Sequence, residues 1–286
     1  MKTIYYLMLF LLFIQCSNVD KMSNAIYSSS MEADTHLLSQ ILEKLSKEKN
    51  LPSGELVVKV GNLFLDTPYV ANTLETDGDE RLVINLREMD CTTFAETCLA
   101  LVRTIQSKKP GIEKYLDELT KIRYRGAKIN GYASRLHYTS DWIFDNEQKN
   151  LIQDVSKDIA NTPYHKTINF MSTHPDSYQQ LKGNKELIDK IAGIESEISK
   201  RPHFYIPKDQ VAALESNLNE GDIIALTTSI DGLDVSHMGI LVHKNNRIHL
   251  LHASTFAKKV VVSEEPLHDY LQKSKLVTGI IVARPL

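Results

Sequence analysis

The sequence predicts an α+β fold, with helices in the first two thirds of the chain and an antiparallel sheet in the last third. Apolar residues recur at helical spacing up to about residue 218, and short apolar runs separated by turn residues follow from Gly221. Helices followed by strands are typical of α+β proteins. The chain has 286 residues, 42% hydrophobic and 24% charged, which is the composition of a globular protein with a sizeable core.

The first 16 residues have the pattern of an export signal. Lys2 precedes an apolar run over residues 4–14, which is shorter than the roughly 20 residues of a membrane-spanning helix. Cys16 follows this run, as in a bacterial lipoprotein signal, and a plain signal peptide is the alternative. The polar residues 17–36 predict a flexible tether. We therefore expect an exported, periplasmic protein with one domain over residues 37–286, attached to a membrane only through a lipid on Cys16.

The predicted helices each carry an apolar stripe along one side. They cover residues 37–49, 54–66, a segment that starts at Cys91, 112–123, 178–199 and 208–218. Residues 126–177 lack this period, are rich in Tyr, His and Asn, and contain the only Trp. A long irregular stretch in a compact domain is usually functional or disordered, and the aromatic residues favour a functional insert here.

The predicted strands form an antiparallel sheet or barrel. They lie at residues 221–227, 237–243, 247–253, 259–263 and 276–283, with a short helix at 266–273. Asn245 and Asn246 fit a two-residue turn between the second and third strands. This turn pairs Lys244 with Arg247 and so defines the register of the hairpin.

Two of the three cysteines lie on one predicted helix. Cys91 and Cys98 are seven residues apart, about 10.5 Å along a helix axis, whereas bridged cysteines have Cα atoms within about 7 Å. One straight helix therefore excludes a disulfide between them. Cys98 lies in mid-helix on the apolar face, where we expect simple packing. Cys91 differs, because Asp90 is a plausible N-cap that makes Cys91 the first helical residue.

A cysteine at a helix start is a candidate nucleophile. Unpaired backbone N–H groups and the helix dipole favour its thiolate, whereas the neighbouring Asp90 carboxylate opposes this effect. A histidine partner is therefore expected. In one known arrangement that histidine follows the cysteine by about 130–150 residues, and the segment from Ser236 to Gly239, which contains His237, begins 145 residues after Cys91.

The register of the hairpin selects among its four histidines. It places His252 opposite Gly239 and on the same face of the sheet as His237, at diagonal positions. The absence of a side chain at Gly239 leaves room for the His252 ring. We therefore predict His237 as the catalytic base and His252 as the residue that orients it. His249 points to the other face, and we expect His249 and His243 to be surface or packing residues.

Metal binding is an alternative use of these histidines. Four histidines in one hairpin could contribute to a zinc site. The sequence contains no H-E-x-x-H and no C-x-x-C motif, the spacings that mark many zinc sites. We therefore expect no metal and no other cofactor.

Five short motifs occur in the same order in a known superfamily. They are Thr67-Pro-Tyr-Val70, Asp90-Cys91, Gly221-Asp-Ile-Ile224, Ser236-His-Met-Gly-Ile240 and His252-Ala-Ser254. This pattern resembles the NlpC-type cell-wall hydrolases, which are papain-like cysteine peptidases of bacteria. The resemblance implies a papain-like fold with a central nucleophile helix. It also implies Cys91 as nucleophile, His237 as base, His252 as third member of the triad and Tyr69 as a pocket residue.

The segment 134–143, Ser-Arg-Leu-His-Tyr-Thr-Ser-Asp-Trp-Ile, resembles a smaller branch of that superfamily. This branch, long catalogued as a domain of unknown function, is now named N-acetylmuramoyl-L-alanine amidase-like. Its members are understood to cleave the amide between the lactyl group of muramic acid and L-alanine. The resemblance implies that the substrate is a muropeptide or peptidoglycan fragment and that residues 126–177 are a substrate-binding insert in a single catalytic domain.

The insert offers side chains that suit such a substrate. Arg135 can hold a carboxylate with two hydrogen bonds. Trp142 and Tyr138 can stack on a sugar or cover a peptide, and Asp141 can accept hydrogen bonds from sugar N–H or O–H groups. With His137 and the pocket residue Tyr69, these residues form the predicted substrate-binding set.

Other functions remain open. A related enzyme would cut between γ-D-glutamate and the diamino acid of the stem peptide, and a protein of another class would bind the envelope as a lipoprotein without catalysis. Nucleic acid is not an expected partner, because the net charge is −3 and no basic run exceeds two residues. The form of the muramic sugar, ordinary or 1,6-anhydro, is not predicted.

Overall fold

The computed structural model describes residues 26–286. The predicted export signal and Cys16 lie outside the described residues. In residues 26–286 no helix is both long and apolar enough to cross a membrane.

Helices dominate the chain up to about residue 200. The α-helices are α1 (Met31–Lys44), α2 (Ser53–Leu63), α3 (Cys91–Ile105), α4 (Ile112–Arg123), α5 (Thr139–Gln148), α6 (Ser156–Ala160), α7 (Phe170–Thr173), α8 (Lys185–Lys200), α9 (Val211–Leu214) and α10 (Leu267–Gln272). Short 3-10 turns occur at Arg125–Ala127, Tyr132–Ser134, Pro175–Ser177 and Glu215–Asn217. The predicted helix at 112–123 has the observed bounds. The other predicted helices differ at their ends, most of all the one at 178–199, which begins at Lys185.

The C-terminal third forms an antiparallel sheet, which confirms the α+β class. The strands are β1 (Ile26–Tyr27), β2 (Leu82–Val83), β3 (Ile152–Asp154), β4 (Thr162–Pro163), β5 (Phe204–Pro207), β6 (Ile223–Thr228), β7 (Val235–Lys244), β8 (Arg247–Ser254), β9 (Lys259–Val262) and β10 (Val277–Pro285). The order in the main sheet is β4-β5-β10-β6-β7-β8-β9, and β3 also pairs with β10. Within the described residues the two end strands, β4 and β9, do not pair with each other, so the sheet is open and not a closed barrel.

The main core lies between the sheet and helices α2, α3 and α4. Phe94 and Leu99 of α3 are fully buried in one cluster with Met238 and Ile240 of β7. Burial of such side chains contributes roughly 1.5–3 kcal/mol each. Helix α2 approaches closely because Gly61 has no side chain, and an added Cβ there would lie 2.7 Å from a methyl group of Leu251. The packing holds the start of α3 against β7 and β8.

The predicted tether is wrong at its C-terminal end, because residues 26–36 form β1 and the start of α1. β1 pairs in parallel with β2. Asp34 is buried and accepts hydrogen bonds from the Leu86 N–H and from Arg87 Nε, at 3.0 and 3.1 Å. The polar composition suggested a solvated segment, but these polar groups bond to the folded domain.

The prediction of an irregular stretch at 126–177 is also wrong in part, because this stretch contains α5 and two short helices. Helix α5 lacks a clear apolar period since several of its polar residues are buried. Asn146, for example, donates from Nδ2 to the carbonyl oxygens of Ile122 and Trp142, at 3.0 and 2.9 Å. Buried polar residues that are hydrogen-bonded inside the protein interrupt the apolar period, so apolar periodicity does not predict this helix.

Candidate active site

The start of α3 is held by a capping box. The Asp90 carboxylate accepts from the Thr93 N–H at 2.8 Å, and the Thr93 hydroxyl oxygen accepts from the Asp90 N–H at 2.9 Å. Such a pair satisfies two backbone donors at a helix terminus. Asp90 is therefore the N-cap, as predicted, and Cys91 is the first residue of the helix.

The thiol of Cys91 is neutral at rest. Burial raises its pKa to about 11, and the Asp90 carboxylate adds to the rise. Hydrogen bonds from the Met238 N–H and from Thr92 act in the opposite direction but are weaker. The expectation that the helix terminus favours a thiolate is therefore not met, because desolvation of the charged form outweighs the helix donors.

The two predicted histidines meet beside this helix. His237 Nε2 and His252 Nδ1 are 2.6 Å apart, and the two rings are nearly perpendicular at 82°. Burial lowers the pKa of His237 to about 4, whereas burial and the charge of His237 lower the pKa of His252 to about 3. Both imidazoles are therefore neutral near pH 7, and one proton lies between the two nitrogens.

The hairpin has the predicted register, since Lys244 pairs with Arg247 and Val242 with His249. The predicted reason for Gly239 is wrong. An added Cβ at Gly239 would lie 2.5 Å from a methyl carbon of Leu250 and 3.0 Å from the Leu251 carbonyl oxygen, so the missing side chain makes room for Leu250. A Leu on the same face of β8 as His252 fills the space that was assigned to the ring.

The remaining hairpin histidines lie apart from this pair. His249 is buried on the other face, where Nδ1 is 3.0 Å from the Ser263 carbonyl oxygen. His243 is exposed at the end of β7 beside Glu220. Across residues 26–286, no group of three or more His, Cys, Asp or Glu side chains is arranged to hold a metal ion.

Helix α3 packs on β7 and β8, the strands that carry His237 and His252. The backbone N–H that faces the thiol belongs to Met238, the residue after His237. These contacts place the start of α3 against the strands that carry the two histidines, and a catalytic triad of Cys91, His237 and His252 stays a prediction.

Tyr69 also lies near the thiol. Its N–H donates to the Lys258 carbonyl oxygen at 2.9 Å, and its backbone pairs with Met89, two residues before Cys91. Burial raises the pKa of Tyr69 to about 12, and the charges of Cys91 and Asp90 contribute to the rise. Its role as a pocket residue of the site stays a prediction.

Tyr270 of α10 was not predicted. Its ring lies edge-on to His252 with centroids 5.3 Å apart. Burial raises its pKa, and the charges of Glu265 and Cys91 raise it further. A tyrosine on a short predicted helix carries no sequence signal for a site, because only the packing of α10 brings it there.

Three predicted substrate-binding residues are buried in the protein. Arg135 is 5% exposed and forms ion pairs with Glu75 at 3.0 Å and Glu80 at 3.3 Å. Asp141 and Trp142 are each 1% exposed, and Asp141 pairs with two arginines, Arg125 and Arg201. These contacts hold the insert on the domain, and direct contact of the three side chains with a substrate stays a prediction.

The other two predicted residues of the insert bond internally. His137 Nε2 lies 2.8 Å from the Tyr132 carbonyl oxygen, and burial lowers the pKa of this histidine to about 3. Tyr138 is buried, and its hydroxyl donates to Glu195 at 2.6 Å. Their contact with a substrate likewise stays a prediction.

Comparison with known proteins supports an amidase-like assignment. The family model of N-acetylmuramoyl-L-alanine amidase-like proteins matches residues 59–280. No curated protein matches the chain.

Solved structures agree with the family match. An N-acetylmuramoyl-L-alanine amidase from Bacteroides uniformis is 43% identical, with a TM-score of 0.79 over 82% of this chain and 99% of its own. A Bacteroides fragilis structure with a provisional xylanase name is 42% identical, with a TM-score of 0.76 over 79% and 99%. A Legionella pneumophila protein, at 21% identity and a TM-score of 0.65 over 88% and 95%, is similar in fold. The chain therefore belongs to the N-acetylmuramoyl-L-alanine amidase-like family.

Proposed function

We propose that this protein is a papain-like, NlpC-type cysteine hydrolase that cleaves the amide between the lactyl group of N-acetylmuramic acid and L-alanine. The observation that carries the proposal is a cysteine at the start of a helix that packs on two strands, whose histidines have ring nitrogens 2.6 Å apart. The amidase name of the Bacteroides uniformis relative supports the choice of bond.

The hydrogen bond between the histidines defines which nitrogen acts. His237 Nε2 contacts His252 Nδ1, so the nitrogen left to accept a proton from Cys91 is His237 Nδ1. The neutral His237 then carries its proton on Nε2 and donates it to His252. His252 orients the base and stabilises the imidazolium that forms, which is the role of the third group in nucleophile–base systems.

Attack and proton transfer occur together, because the thiol and both imidazoles are neutral at rest. The Cys91 proton moves to His237 Nδ1 as Sγ bonds to the amide carbon. The oxyanion that forms is stabilised by the Cys91 N–H, one of the donors that a helix start leaves without an intrahelical partner. In a comparable enzyme, one such donor contributes about 3–4 kcal/mol.

The intermediate then breaks down in two stages. The C–N bond cleaves, and His237 gives its proton to the departing amine of L-alanine, leaving a thioester on Cys91. A water molecule loses a proton to His237 and attacks the thioester carbon. The C–S bond breaks, the thiolate regains the proton from His237, and the muramic acid leaves with a free lactyl carboxylate.

Product mass tests the proposal. The full chain is incubated with muropeptides of known structure, with and without prior iodoacetamide, and compared with Cys91→Ala. We expect free N-acetylmuramic acid and an L-alanyl peptide, both lost on alkylation and in the variant. His243→Gln is a control for substitution within the hairpin, because His243 is exposed and away from the histidine pair.

Other products would contradict the proposal in defined ways. An L-Ala-γ-D-Glu dipeptide would indicate the endopeptidase. Unchanged activity in Cys91→Ala would exclude the nucleophile, and loss on chelation without loss on alkylation would indicate a metal hydrolase. Muropeptide binding with no cleavage of any fragment would favour a non-catalytic envelope-binding protein.

We also propose export to the periplasm with a lipid on Cys16. The apolar run before Cys16 supports this location. Labelled palmitate should be incorporated by the full chain in cells and lost in Cys16→Ser. Secretion without the label would indicate a plain signal peptide.

A further inference from the structure

A cavity of about 300 Å³ opens next to His252. It lies between the loop that joins β8 to β9 and helix α10. The lining includes His252, Ser254, Phe256, Tyr270 and Glu264. Its volume is at the lower end of the range for small-molecule sites.

The loop that bears Phe256 is held in place from both sides. The Ala257 N–H donates to Ser254 Oγ at 3.1 Å, and the Lys258 carbonyl oxygen accepts from the Tyr69 N–H at 2.9 Å. The second bond connects the loop to the segment beside Cys91. Phe256 is nevertheless 97% exposed, so its ring is available to a bound molecule.

Two aromatic rings therefore belong to this cavity. Phe256 lies at its solvent side, and Tyr270 forms a wall beside His252, with the ring centroids of Tyr270 and His252 5.3 Å apart. Phe256 offers its faces to solvent, where the C–H face of a sugar ring can pack against it. The carboxylates at the rim accept hydrogen bonds from hydroxyl and N–H donors.

We propose that this cavity is the subsite for the pyranose ring of the amino sugar in the substrate. The inference rests on the proposed function and names the part of the molecule that binds beside His252. It differs from the predicted sugar contacts of Trp142 and Tyr138, which are buried in the domain at 1% and 3% exposure.

The charges of the cavity favour the sugar over the stem peptide. The charged side chains at its rim are Glu264, Glu265 and Lys273, and Lys273 is paired with Glu265. The carboxylate of the exposed Glu264 therefore has no ion-pair partner among the residues of this rim. The D-glutamate of a stem peptide carries a carboxylate that this charge repels, whereas a muramic sugar joined through its lactyl amide is neutral.

The contribution of the sugar ring is isolated by comparing two substrates that share the same peptide and the same scissile amide. They are N-acetylmuramoyl-L-alanyl-D-isoglutamine and D-lactoyl-L-alanyl-D-isoglutamine, which lacks the sugar. We measure kcat/KM for both in the wild type, in Phe256→Ala and in Phe144→Ala. Phe144 is a matched control, because it is 40% exposed on α5 and does not line the cavity.

We expect the wild type to favour the sugar-bearing substrate, and Phe256→Ala to reduce that preference about tenfold. Phe144→Ala should keep the wild-type ratio. An unchanged ratio in Phe256→Ala would overturn the proposal. An equal loss with both substrates would also overturn it, since the peptide would then occupy the cavity.

A binding measurement separates this inference from the proposed function. If the wild type cleaves neither compound, the proposed function fails. Calorimetry of both compounds with Cys91→Ala then tests whether the cavity binds the sugar. Tighter binding of the sugar-bearing compound, with that advantage lost when Phe256→Ala is added, supports the subsite. Equal affinity for the two compounds, or no binding of either, contradicts it.

Discussion

Protonation at single residues controls how this site can work. Burial keeps the Cys91 thiol and the His237 and His252 imidazoles neutral, by raising the pKa of the thiol and lowering those of the rings. In the proposed mechanism, a neutral pair makes His237 a general base that acts during attack, in place of a preformed thiolate and imidazolium. The hydrogen bond from His237 Nε2 to His252 then matters, because it leaves His237 Nδ1 free to accept a proton.

The two histidines should differ in how much activity they control. His237→Ala removes the base, and we expect kcat to fall by roughly 10³-fold or more. His252→Ala leaves the base but removes its partner, and a loss of about 10–100-fold is expected. His252→Asn should recover part of this loss, because its side-chain oxygen can accept from His237 Nε2. Steady-state kinetics on a muropeptide measure all three variants.

The reverse ranking would contradict this assignment. If His252→Ala lost more activity than His237→Ala, the roles of the two residues would have to be exchanged. Equal losses in His252→Asn and His252→Ala would argue against the hydrogen bond as the source of the effect.

At the scale of elements, the cap of α3 has two separate effects. Asp90 satisfies the helix terminus through its hydrogen bond to Thr93, and its charge raises the pKa of Cys91. The first effect stabilises the helix and the second opposes thiolate formation. The residue that caps the helix therefore also influences the pKa of the Cys91 thiol.

Asp90→Asn should separate these effects. Asparagine caps as well as aspartate, so the free energy of unfolding should change by only a few tenths of a kcal/mol, whereas Asp90→Ala should cost about 1 kcal/mol. Both variants remove the charge, so the pKa of the Cys91 thiol should fall. Iodoacetamide labelling of the peptide that contains Cys91 should then reach a given rate at lower pH than in the wild type.

Urea unfolding and labelling rates across pH 6–10 provide the two readouts. Cys98 is a suitable internal reference, since it is fully buried in the native protein. Labelling curves that coincide for Asp90→Asn and the wild type would show that the carboxylate does not act on the thiol.

The β7–β8 hairpin offers a second test at this scale. Gly239→Ala would place its Cβ 2.5 Å from a Leu250 methyl carbon and 3.0 Å from the Leu251 carbonyl oxygen. We expect a cost of about 1–3 kcal/mol for this overpacking. We also expect reduced kcat, because β8 carries His252. Gly193→Ala in helix α8 is the control, since no atom lies within 4 Å of its added Cβ and alanine favours a helix by about 1 kcal/mol.

Urea midpoints and muropeptide kinetics of both variants test this expectation. A Gly239→Ala protein as stable and active as the wild type would mean that the strands shift apart without consequence for the histidine pair.

At the scale of the whole molecule, three histidines with lowered pKa values link folding to pH. The pKa values of His137, His237 and His252 are lowered to about 3, 4 and 3, against about 6.5 in an unfolded chain. Between pH 6.5 and about 4 the unfolded chain binds more protons than the folded one, so stability falls as the pH decreases through this range. Above pH 6.5 these groups contribute no pH dependence.

His137→Gln should make the protein less sensitive to acid. His137 lies in the insert, away from the histidine pair, and glutamine retains an N–H donor for the Tyr132 carbonyl. Between pH 7.5 and pH 5 the variant should lose up to about 2 kcal/mol less of its free energy of unfolding than the wild type. Urea unfolding at the two pH values measures the difference, and parallel losses in both proteins would contradict the lowered pKa of His137.

The sequence predictions were correct where interactions within a few residues determine the structure, and wrong where contacts between distant residues do. The α+β class, the helix at 112–123, the Asp90 cap and the hairpin register follow from periodicity, capping and turn chemistry, which act within a few residues. The ordered residues 26–36 and helix α5 were missed, because their polar side chains have partners far along the chain. Arg135 and Asp141 resembled substrate ligands for the same reason, since a charged side chain does not reveal whether it pairs inside the protein.

The sequence alone predicts the candidate nucleophile and its two histidines. A cysteine after a capping residue and two histidines on one face of a two-residue-turn hairpin require only local geometry. Tertiary structure decided their protonation, the burial of the insert, and the cavity between Tyr270 and Phe256. These properties depend on desolvation and on contacts between distant segments, and neither is encoded in the spacing of neighbouring residues.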